Sequence, residues 1–169
     1  MKTKHVIVVP YDEKWPEEFT KIKEELKAAM GNRFISIEHV GSTSVHGLAA
    51  KPIIDIDVII KKDMFTEVKK ALEAIGYVHE GDLGIKGREA FKYDHKEHLM
   101  THHLYVCFED CPELHRHITF RNWLRSHPED VMDYSKVKMD MSKKYPYDID
   151  SYIEGKSPCI EKIYKKCGL

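Results

Sequence analysis

The sequence predicts an α+β fold in which helices flank a mixed β-sheet and the final third of the chain is helical. Segments 33–40, 51–60 and 102–108 alternate apolar with polar residues or are rich in isoleucine and valine, as β-strands are. Other segments repeat apolar residues every three or four positions, as helices do, and only this pattern continues beyond residue 111. From the length of 169 residues we expect a single domain over residues 1–169.

The first part of the chain is predicted to contain a short strand, a helix and two longer strands. Residues 5–10 predict the short strand. The helix has Pro16 in its first turn and ends at Gly31, and its apolar stripe consists of Trp15, Phe19, Ile22, Leu26 and Met30. Segments 33–40 and 51–60 follow as strands.

The middle of the chain adds a second helix and a further strand pattern. Asp63 is predicted to cap a helix that Gly76 ends, and a short strand follows at 77–80. Segment 81–97 contains three glycines and many charges, which predicts a loop or a weak hairpin. Segment 102–108 is predicted as a further strand.

Three helices are predicted after the last strand. The first begins at Pro112 and ends at Pro128. The second and third are marked by apolar and aromatic residues at helical spacing, namely Tyr134, Val137, Met141 and Tyr145, then Ile160, Ile163 and Tyr164 before Gly168.

Composition excludes several classes of protein. Lys plus Arg number 27 against 28 Asp plus Glu, a net charge of −1, so we expect no nucleic-acid partner, because dedicated nucleic-acid binders carry a basic excess. No apolar segment approaches the length of a membrane span, so no membrane partner is expected. The cysteines lack the density of a disulfide scaffold and the spacing of a zinc ribbon, which predicts reduced thiols and a cytoplasmic location: Cys107, Cys111, Cys159 and Cys167.

Two carboxylates interrupt the most strand-prone segment, 51–60. Alternate side chains of a strand share a face, so Asp55 and Asp57 project together while their apolar neighbours point into a core. Two adjacent carboxylates repel, and a divalent cation would resolve that repulsion; hard oxygen ligands favour Mg²⁺ or Mn²⁺. The alternative is that each aspartate caps a nearby helix or pairs with a lysine or arginine.

A glycine-serine turn lies upstream of this pair. Gly41 and Ser42 follow the apolar Val40, and a twelve-residue spacer then leads to the strand with Asp55 and Asp57. This arrangement resembles the nucleotidyltransferase pattern, which implies a polymerase β-like fold, phosphate binding at the glycine and serine, and metal binding at the two acids. The alternative is a plain turn that caps a helix.

Four segments resemble the GrpB family, a branch of the nucleotidyltransferase superfamily: "IEHVGSTSVHGLAAKPIIDIDV", "THHLYV", "FRNWLR" and "YIEGKSPCIEKI". The resemblance covers nearly the whole chain and implies a nucleotidyltransferase-like mixed sheet, but it leaves the substrate open. Two positions depart from the family pattern. His46 stands where proline is usual, and Tyr105 stands where a histidine is common.

Active nucleotidyltransferases generally place a third carboxylate on an adjacent strand, and segment 102–108 supplies none. If its apolar residues face the core, His103, Tyr105 and Cys107 face the site, and His103 becomes the candidate general base. Its alternative role is a satisfied, partly buried histidine. A zinc site among the nearby histidines is disfavoured because their spacing does not specify tetrahedral ligands.

The candidate substrate-binding residues are the turn and four cations: Gly41, Ser42, Thr43, Ser44, Lys51, Arg88, Arg121 and Lys156. The last two match family motifs; taken alone, each cation is more often a solvated surface residue than a ligand. The sequence thus supports a metal-dependent nucleotidyltransferase that moves a nucleotidyl group from a nucleoside triphosphate to an unidentified small-molecule or protein acceptor. The alternative is a non-catalytic protein that binds a nucleotide or another phosphorylated ligand.

Overall fold

The computed structural model describes residues 4–169 and contains five strands and five α-helices. The strands are β1 (Ser36–Val40), β2 (Ile54–Ile60), β3 (Tyr77–Gly81), β4 (Arg88–Tyr93) and β5 (His102–Phe108). The helices are α1 (Trp15–Met30), α2 (Phe65–Ala74), α3 (Pro112–Arg125), α4 (Pro128–Lys144) and α5 (Ile149–Lys166). A single 3₁₀ turn, Ser42–Ser44, follows β1.

The strands form one mixed sheet in the order β1-β2-β5-β4-β3. Strands β2 and β5 are parallel, and every other pair is antiparallel. The register pairs Asp55 with His103 and Asp57 with Tyr105 across β2 and β5. The sequence-predicted α+β fold, with a mixed sheet and a helical final third, is therefore confirmed.

Helices α1 and α2 cover the apolar face of the sheet. The alternating residues of β2 are buried there as predicted, with Ile54, Ile56, Val58 and Ile60 at 0% exposure. A second core joins the helical final third to the segment between β1 and β2, and it is made of Val45, Leu48, Leu124, Val131, Tyr134 and Ile163. The helical third is thereby held beside the turn that follows β1.

Two local predictions were wrong. Residues 5–10 form no strand: Val9 makes an isolated bridge with Ala50, while the Val6 amide donates to Pro146 O, so this segment runs along the C-terminal helices. Asp63 does not cap α2, because it lies within a 3₁₀ turn and the cap position falls to Met64.

Segment 81–97, predicted as a loop or weak hairpin, follows the second alternative, because β4 forms an antiparallel hairpin with β3. Strand β4 pairs with β3 on one side and β5 on the other, so tertiary pairing stabilises a segment whose composition is weak for a strand. No helix within residues 4–169 is both long enough and apolar enough to cross a membrane.

Candidate active site

The turn after β1 lies directly against Asp55. Gly41 has φ +73°, and a Cβ atom placed on it would lie 2.3 Å from Asp55 Oδ2. Only glycine can hold this backbone conformation and leave room for the carboxylate. The glycine bend and the first acid of β2 therefore meet, as the spacing in the sequence predicts.

Hydrogen bonds within the turn hold its shape. The Thr43 hydroxyl donates to Ile53 O at 3.2 Å, so it accepts from His39 Nε2 at 2.9 Å. Burial lowers the pKa of His39 to about 4, which keeps this imidazole neutral. Ser44 donates to Gly41 O, and the Arg125 guanidinium donates twice to Ser44 O, at 3.0 and 2.9 Å. Thr43 and Ser44 are thus engaged in supporting the turn.

Asp55 is reachable from solvent and is paired with His103. Its side chain is 32% exposed, and His103 Nδ1 lies 3.0 Å from Asp55 Oδ1. A carboxylate can only accept, so Nδ1 carries the proton and Nε2 of a neutral His103 has a free lone pair. The candidate base therefore lies beside the candidate metal ligand, with its ring oriented by it.

Asp57 is fully buried beneath α3. Its Oδ2 lies 2.7 Å from His117 Nδ1, and His117 Nε2 lies 3.2 Å from Glu113 Oε1. Burial works to lower the pKa of His117, but the hydrogen bond and charge of Asp57, with Glu113, outweigh it and raise the pKa. Sequence analysis missed His117 and Glu113, because no local pattern links residues of α3 to an acid 60 positions earlier.

The donor set fits a divalent cation that also has phosphate ligands. Asp57 Oδ1 is buried and has no hydrogen-bond partner among the described residues, so one carboxylate oxygen remains uncommitted. Within residues 4–169, no three His, Cys, Asp or Glu side chains are grouped to hold a metal ion by themselves. Mg²⁺ commonly uses one or two protein carboxylates and completes its shell with substrate phosphates and water. Asp55 and Asp57 provide that number.

A cleft of about 310 Å³ opens in front of the turn and Asp55. Its cationic lining comes from Lys51, Lys138 and Lys156, and its aromatic lining from Phe120, Tyr134, Tyr152 and Tyr164. Gly41, Ser42, Thr43 and His103 also line it, whereas Ser44 does not. The cleft therefore combines three amines with several rings around a single accessible carboxylate.

Two of these lysines are unusual in their surroundings. Lys138 Nζ donates to Ser42 Oγ and to Ala49 O, the latter at 3.0 Å, and lies 4.6 Å from the centre of the Tyr134 ring. Burial, with the nearby charge of Lys156, lowers the pKa of Lys138 well below its ordinary value. Burial and the charge of Lys51 lower the pKa of Lys156 to about 8. An anion entering the cleft would favour the charged form of both amines.

Two predicted substrate-binding cations do not line the cleft. Arg121 is buried and donates to Glu38 Oε2 at 2.7 Å and to His39 O at 3.0 Å, so it supports the strand that leads into the turn. Arg88 lies over the Tyr105 ring at 4.2 Å, and its buried Nε has no hydrogen-bond partner among the described residues. Lys51 and Lys156 are the two that the fold brings to the turn.

Structural comparison identifies the class of fold. Cid1 in complex with its short product ApU is similar with a TM-score of 0.56 and 13% identity, over 79% of this chain and 42% of that one. Cid1 poly(U) polymerase bound to MgATP is similar with a TM-score of 0.53 and 12% identity, over 77% and 45%. At this identity the likeness shows the fold alone, which is that of the nucleotidyltransferases.

Comparison with sequence families and with more similar proteins assigns the chain to a family within this fold class. The model of the "GrpB protein" family matches residues 5–166, so the chain belongs to the GrpB family, as the sequence motifs predicted. The crystal structure of GrpB from Enterococcus faecalis is similar with a TM-score of 0.82 and 34% identity, over 95% of this chain and 96% of that one. The UPF0157 protein YqkA of Bacillus subtilis (strain 168) is 36% identical over 92% of this chain, which spans 45% of the length of YqkA.

Proposed function

We propose that this protein binds a nucleoside triphosphate with Mg²⁺ in the cleft and transfers its nucleotidyl group to a hydroxyl of a small-molecule or protein acceptor. The observation that carries the proposal is the contact between the Gly41 turn and Asp55 within a cleft that also holds Lys51, Lys138 and Lys156. Each feature alone is common in proteins. Their convergence on one cavity matches what a metal-bound polyphosphate requires.

The turn and the lysines would bind the phosphates. Gly41 lets the backbone approach the ligand closely, and Ser42 offers a hydroxyl now held by Lys138. A triphosphate carries several negative charges, so it would draw the Lys138 and Lys156 amines toward their charged forms and away from their present contacts. The half-buried rings of Phe120 and Tyr164 would then offer apolar faces to a nucleobase.

Asp55 and Asp57 would hold the metal ion. When bound, Mg²⁺ neutralises negative charge on the phosphates and stabilises the charge that develops on the leaving diphosphate. Asp55 Oδ2 faces the turn, and Asp57 Oδ1 is the uncommitted oxygen of the pair. The two histidines on the opposite oxygens, His103 and His117, fix the orientation of both carboxylates.

His103 would act as the general base. The acceptor oxygen bonds to the α-phosphorus, the bond from that phosphorus to the bridging oxygen of the diphosphate breaks, and His103 Nε2 takes the hydroxyl proton. Asp55 supports this role by accepting from Nδ1, which keeps the lone pair on Nε2. The side chain of His103 is 53% exposed, so an acceptor can reach it.

One observation favours a second function, non-catalytic binding of a nucleotide or another phosphorylated ligand. Strand β5 pairs Tyr105, and not a carboxylate, with Asp57, and Asp57 itself is fully covered and paired with His117. Such a protein would use the turn and lysines as described and would leave the ligand unchanged.

A stability and turnover assay separates the two functions. At about a hundred times its dissociation constant, a bound nucleotide should raise the free energy of unfolding by about 2.7 kcal/mol. We expect this gain for at least one nucleoside triphosphate, to depend on Mg²⁺ and to disappear in Asp57→Asn, while Asp63→Asn in an exposed turn keeps it. Diphosphate release with a panel of hydroxyl compounds supports transfer; binding without release supports the second function. If no nucleotide stabilises the protein, nucleotidyl transfer is wrong; if no other phosphorylated compound stabilises it either, the second function is wrong too.

A further inference from the structure

A second cavity, of about 480 Å³, lies along the edge of the sheet and shares no lining residue with the cleft. Phe19, Lys23 and Lys27 of α1 line one wall, and Arg121 and Arg125 of α3 line the other. The floor is segment 34–39, most of which is strand β1. We call this cavity the edge groove.

The floor of the edge groove is a backbone edge. Strand β1 is the first strand in the sheet order and pairs only with β2, so its other side has no strand partner within residues 4–169. Four consecutive residues of β1, 36–39, line the groove. Because alternate side chains of a strand point to opposite faces, consecutive residues can line one groove only along the side that carries their N–H and C=O groups. One of these groups, His39 O, accepts from Arg121.

Cations flank this edge on both faces of the sheet. Lys23 and Lys27 lie one turn apart on α1, and Arg121 and Arg125 lie one turn apart on α3. Glu38 is the carboxylate of the groove, and Arg121 already pairs with it at 2.7 Å. Lys27 lies 3.9 Å from the exposed Glu24 outside the groove, a weak pair. The groove therefore keeps a formal excess of positive charge in a chain whose net charge is −1.

The groove also offers apolar contact. Ile35 is 49% exposed at its end, and Phe34 and Phe19 line it. The Phe19 ring stacks on His39 at 4.7 Å, so that wall is held in place from within the fold. A ligand with alternating acidic and apolar side chains would match the flanking cations and these apolar residues.

We propose that the edge groove docks an extended acidic segment of a partner protein, which adds to β1 as a further strand. Main-chain hydrogen bonds to the free edge would supply affinity, and acidic side chains on the segment would pair with Lys23, Lys27 and Arg125. The five residues of β1 set the length of the paired region. This inference does not depend on the proposed nucleotidyl transfer, because the groove and the cleft have separate linings.

The position of the groove connects it to the candidate active site. Arg121 and Arg125 hold His39 O and Ser44 O, on either side of the Gly41 bend. A docked segment would therefore contact the same two arginines that support the phosphate-binding turn.

The test uses the full chain and a fluorescent, N-acetylated, C-amidated octapeptide in which glutamate alternates with valine or threonine. We expect saturable binding by fluorescence anisotropy and slower hydrogen exchange at the amides of β1. Reversal of these charges in Lys23→Glu/Lys27→Glu should weaken binding by about tenfold or more, because like charges would then face each other. The matched reversal Lys136→Glu/Lys143→Glu, on α4, should leave binding unchanged.

Three comparisons could overturn the proposal. A peptide methylated at alternate backbone nitrogens cannot pair as a strand, so equal binding by it would exclude strand addition. Tighter binding of a hexanucleotide RNA, with the same sensitivity to the charge reversal, would assign the groove to nucleic acid instead. Absence of peptide binding, or β1 amides already protected by self-association of the free protein, would mean that the cations only shield an open edge from such pairing. None of these results depends on whether nucleotide binds in the cleft.

Discussion

Gly41 is the residue at which the backbone conformation and the chemistry of the candidate site meet. Its positive φ turns the chain after β1, and its missing side chain leaves room for Asp55 Oδ2. The positive φ and the need for space beside Asp55 both fall on Gly41. Their effects can be separated by comparison with a glycine that has a positive φ but no close neighbour. Gly84 is such a residue: it has φ +86°, and a Cβ placed on it meets nothing within 4 Å.

We predict that Gly41→Ala abolishes Mg²⁺-dependent nucleotide binding and destabilises the protein more than Gly84→Ala does. The strained backbone alone should cost about 1–2 kcal/mol at either position. At Gly41 the new methyl group also displaces Asp55, which adds about 1–3 kcal/mol of overpacking. Urea denaturation measures the loss of stability, and the nucleotide-dependent thermal shift measures the loss of binding.

Two outcomes of the comparison between Gly41→Ala and Gly84→Ala would contradict this prediction. If Gly41→Ala and Gly84→Ala lose the same stability and both retain nucleotide binding, the contact between the turn and Asp55 has no role in the site. If Gly84→Ala alone lost nucleotide binding, the site would lie elsewhere.

Some residues of the candidate site could be predicted from the sequence, and others could not. Asp55, Asp57 and Gly41 could be found because strand alternation and a local spacing define them. His117 could not be found, because it reaches Asp57 only through the packing of α3 on the sheet. Lys138 resembles an ordinary surface lysine of an amphipathic helix until the fold buries it against Ser42.

At the scale of secondary structure, the α4–α5 pair determines where the Lys138 and Lys156 amines lie. Gly155 is the close-approach point of this pair: a Cβ placed on it would lie 2.3 Å from Met141 Sδ and 2.9 Å from Met141 Cγ. A glycine inside a helix costs about 1 kcal/mol relative to alanine, so its presence here reflects packing. Gly155 lies next to Lys156, so the position of α5 against α4 at this glycine determines where the Lys156 amine lies in the cleft.

We predict that Gly155→Ala and Met141→Ala are coupled. Gly155→Ala overpacks the interface at a cost of about 1–3 kcal/mol, offset in part by the gain in helix propensity. Met141→Ala leaves a gap beside the glycine, which the new methyl group can partly fill. The double variant should therefore be more stable than the sum of the two single changes by about 1 kcal/mol or more, measured by urea denaturation as a double-mutant cycle.

Additive effects in that cycle would mean that α5 shifts freely along α4, and the position of Lys156 would then not depend on the glycine. Gly155→Ala should also weaken nucleotide binding, and Met141→Ala in the same chain should restore part of it.

The secondary structure could be predicted from the sequence where local pattern and tertiary environment agree. Strand β2 and helix α1 have strong periodicity and bury the residues that the pattern selects. Strand β4 could not be predicted, because its stability comes from β3 and β5 on either side. Residues 5–10 have the apolar content of a strand, but Val6 pairs with the segment before α5, a partner that no local pattern names.

Across the whole molecule, charge is distributed unevenly. The chain is nearly neutral, with a net charge of −1, yet Lys51 converges in one cleft with Lys138 and Lys156 of the C-terminal helices α4 and α5. Composition therefore predicts no dedicated nucleic-acid binder but could not reveal this local excess, because only the fold brings the three amines together. Burial, followed by the charge of Lys51, lowers the pKa of Lys156 to about 8.

We predict that nucleotide affinity falls as the pH rises through the pKa of Lys156. Below pH 8 the amine is mostly charged and attracts phosphate; above pH 8 it is mostly neutral, so binding must first add a proton. At pH 9, one unit above a pKa of about 8, only about a tenth of the amine is charged, so the dissociation constant should rise about tenfold between pH 7.5 and 9. Isothermal titration calorimetry in buffers of different ionisation enthalpy also measures the proton uptake.

Lys156→Met should bind weakly with little pH dependence, whereas Lys165→Met, exposed on the same helix, should retain the wild-type profile. The same pH profile in Lys156→Met and in the wild type would show that this amine does not contact the phosphates.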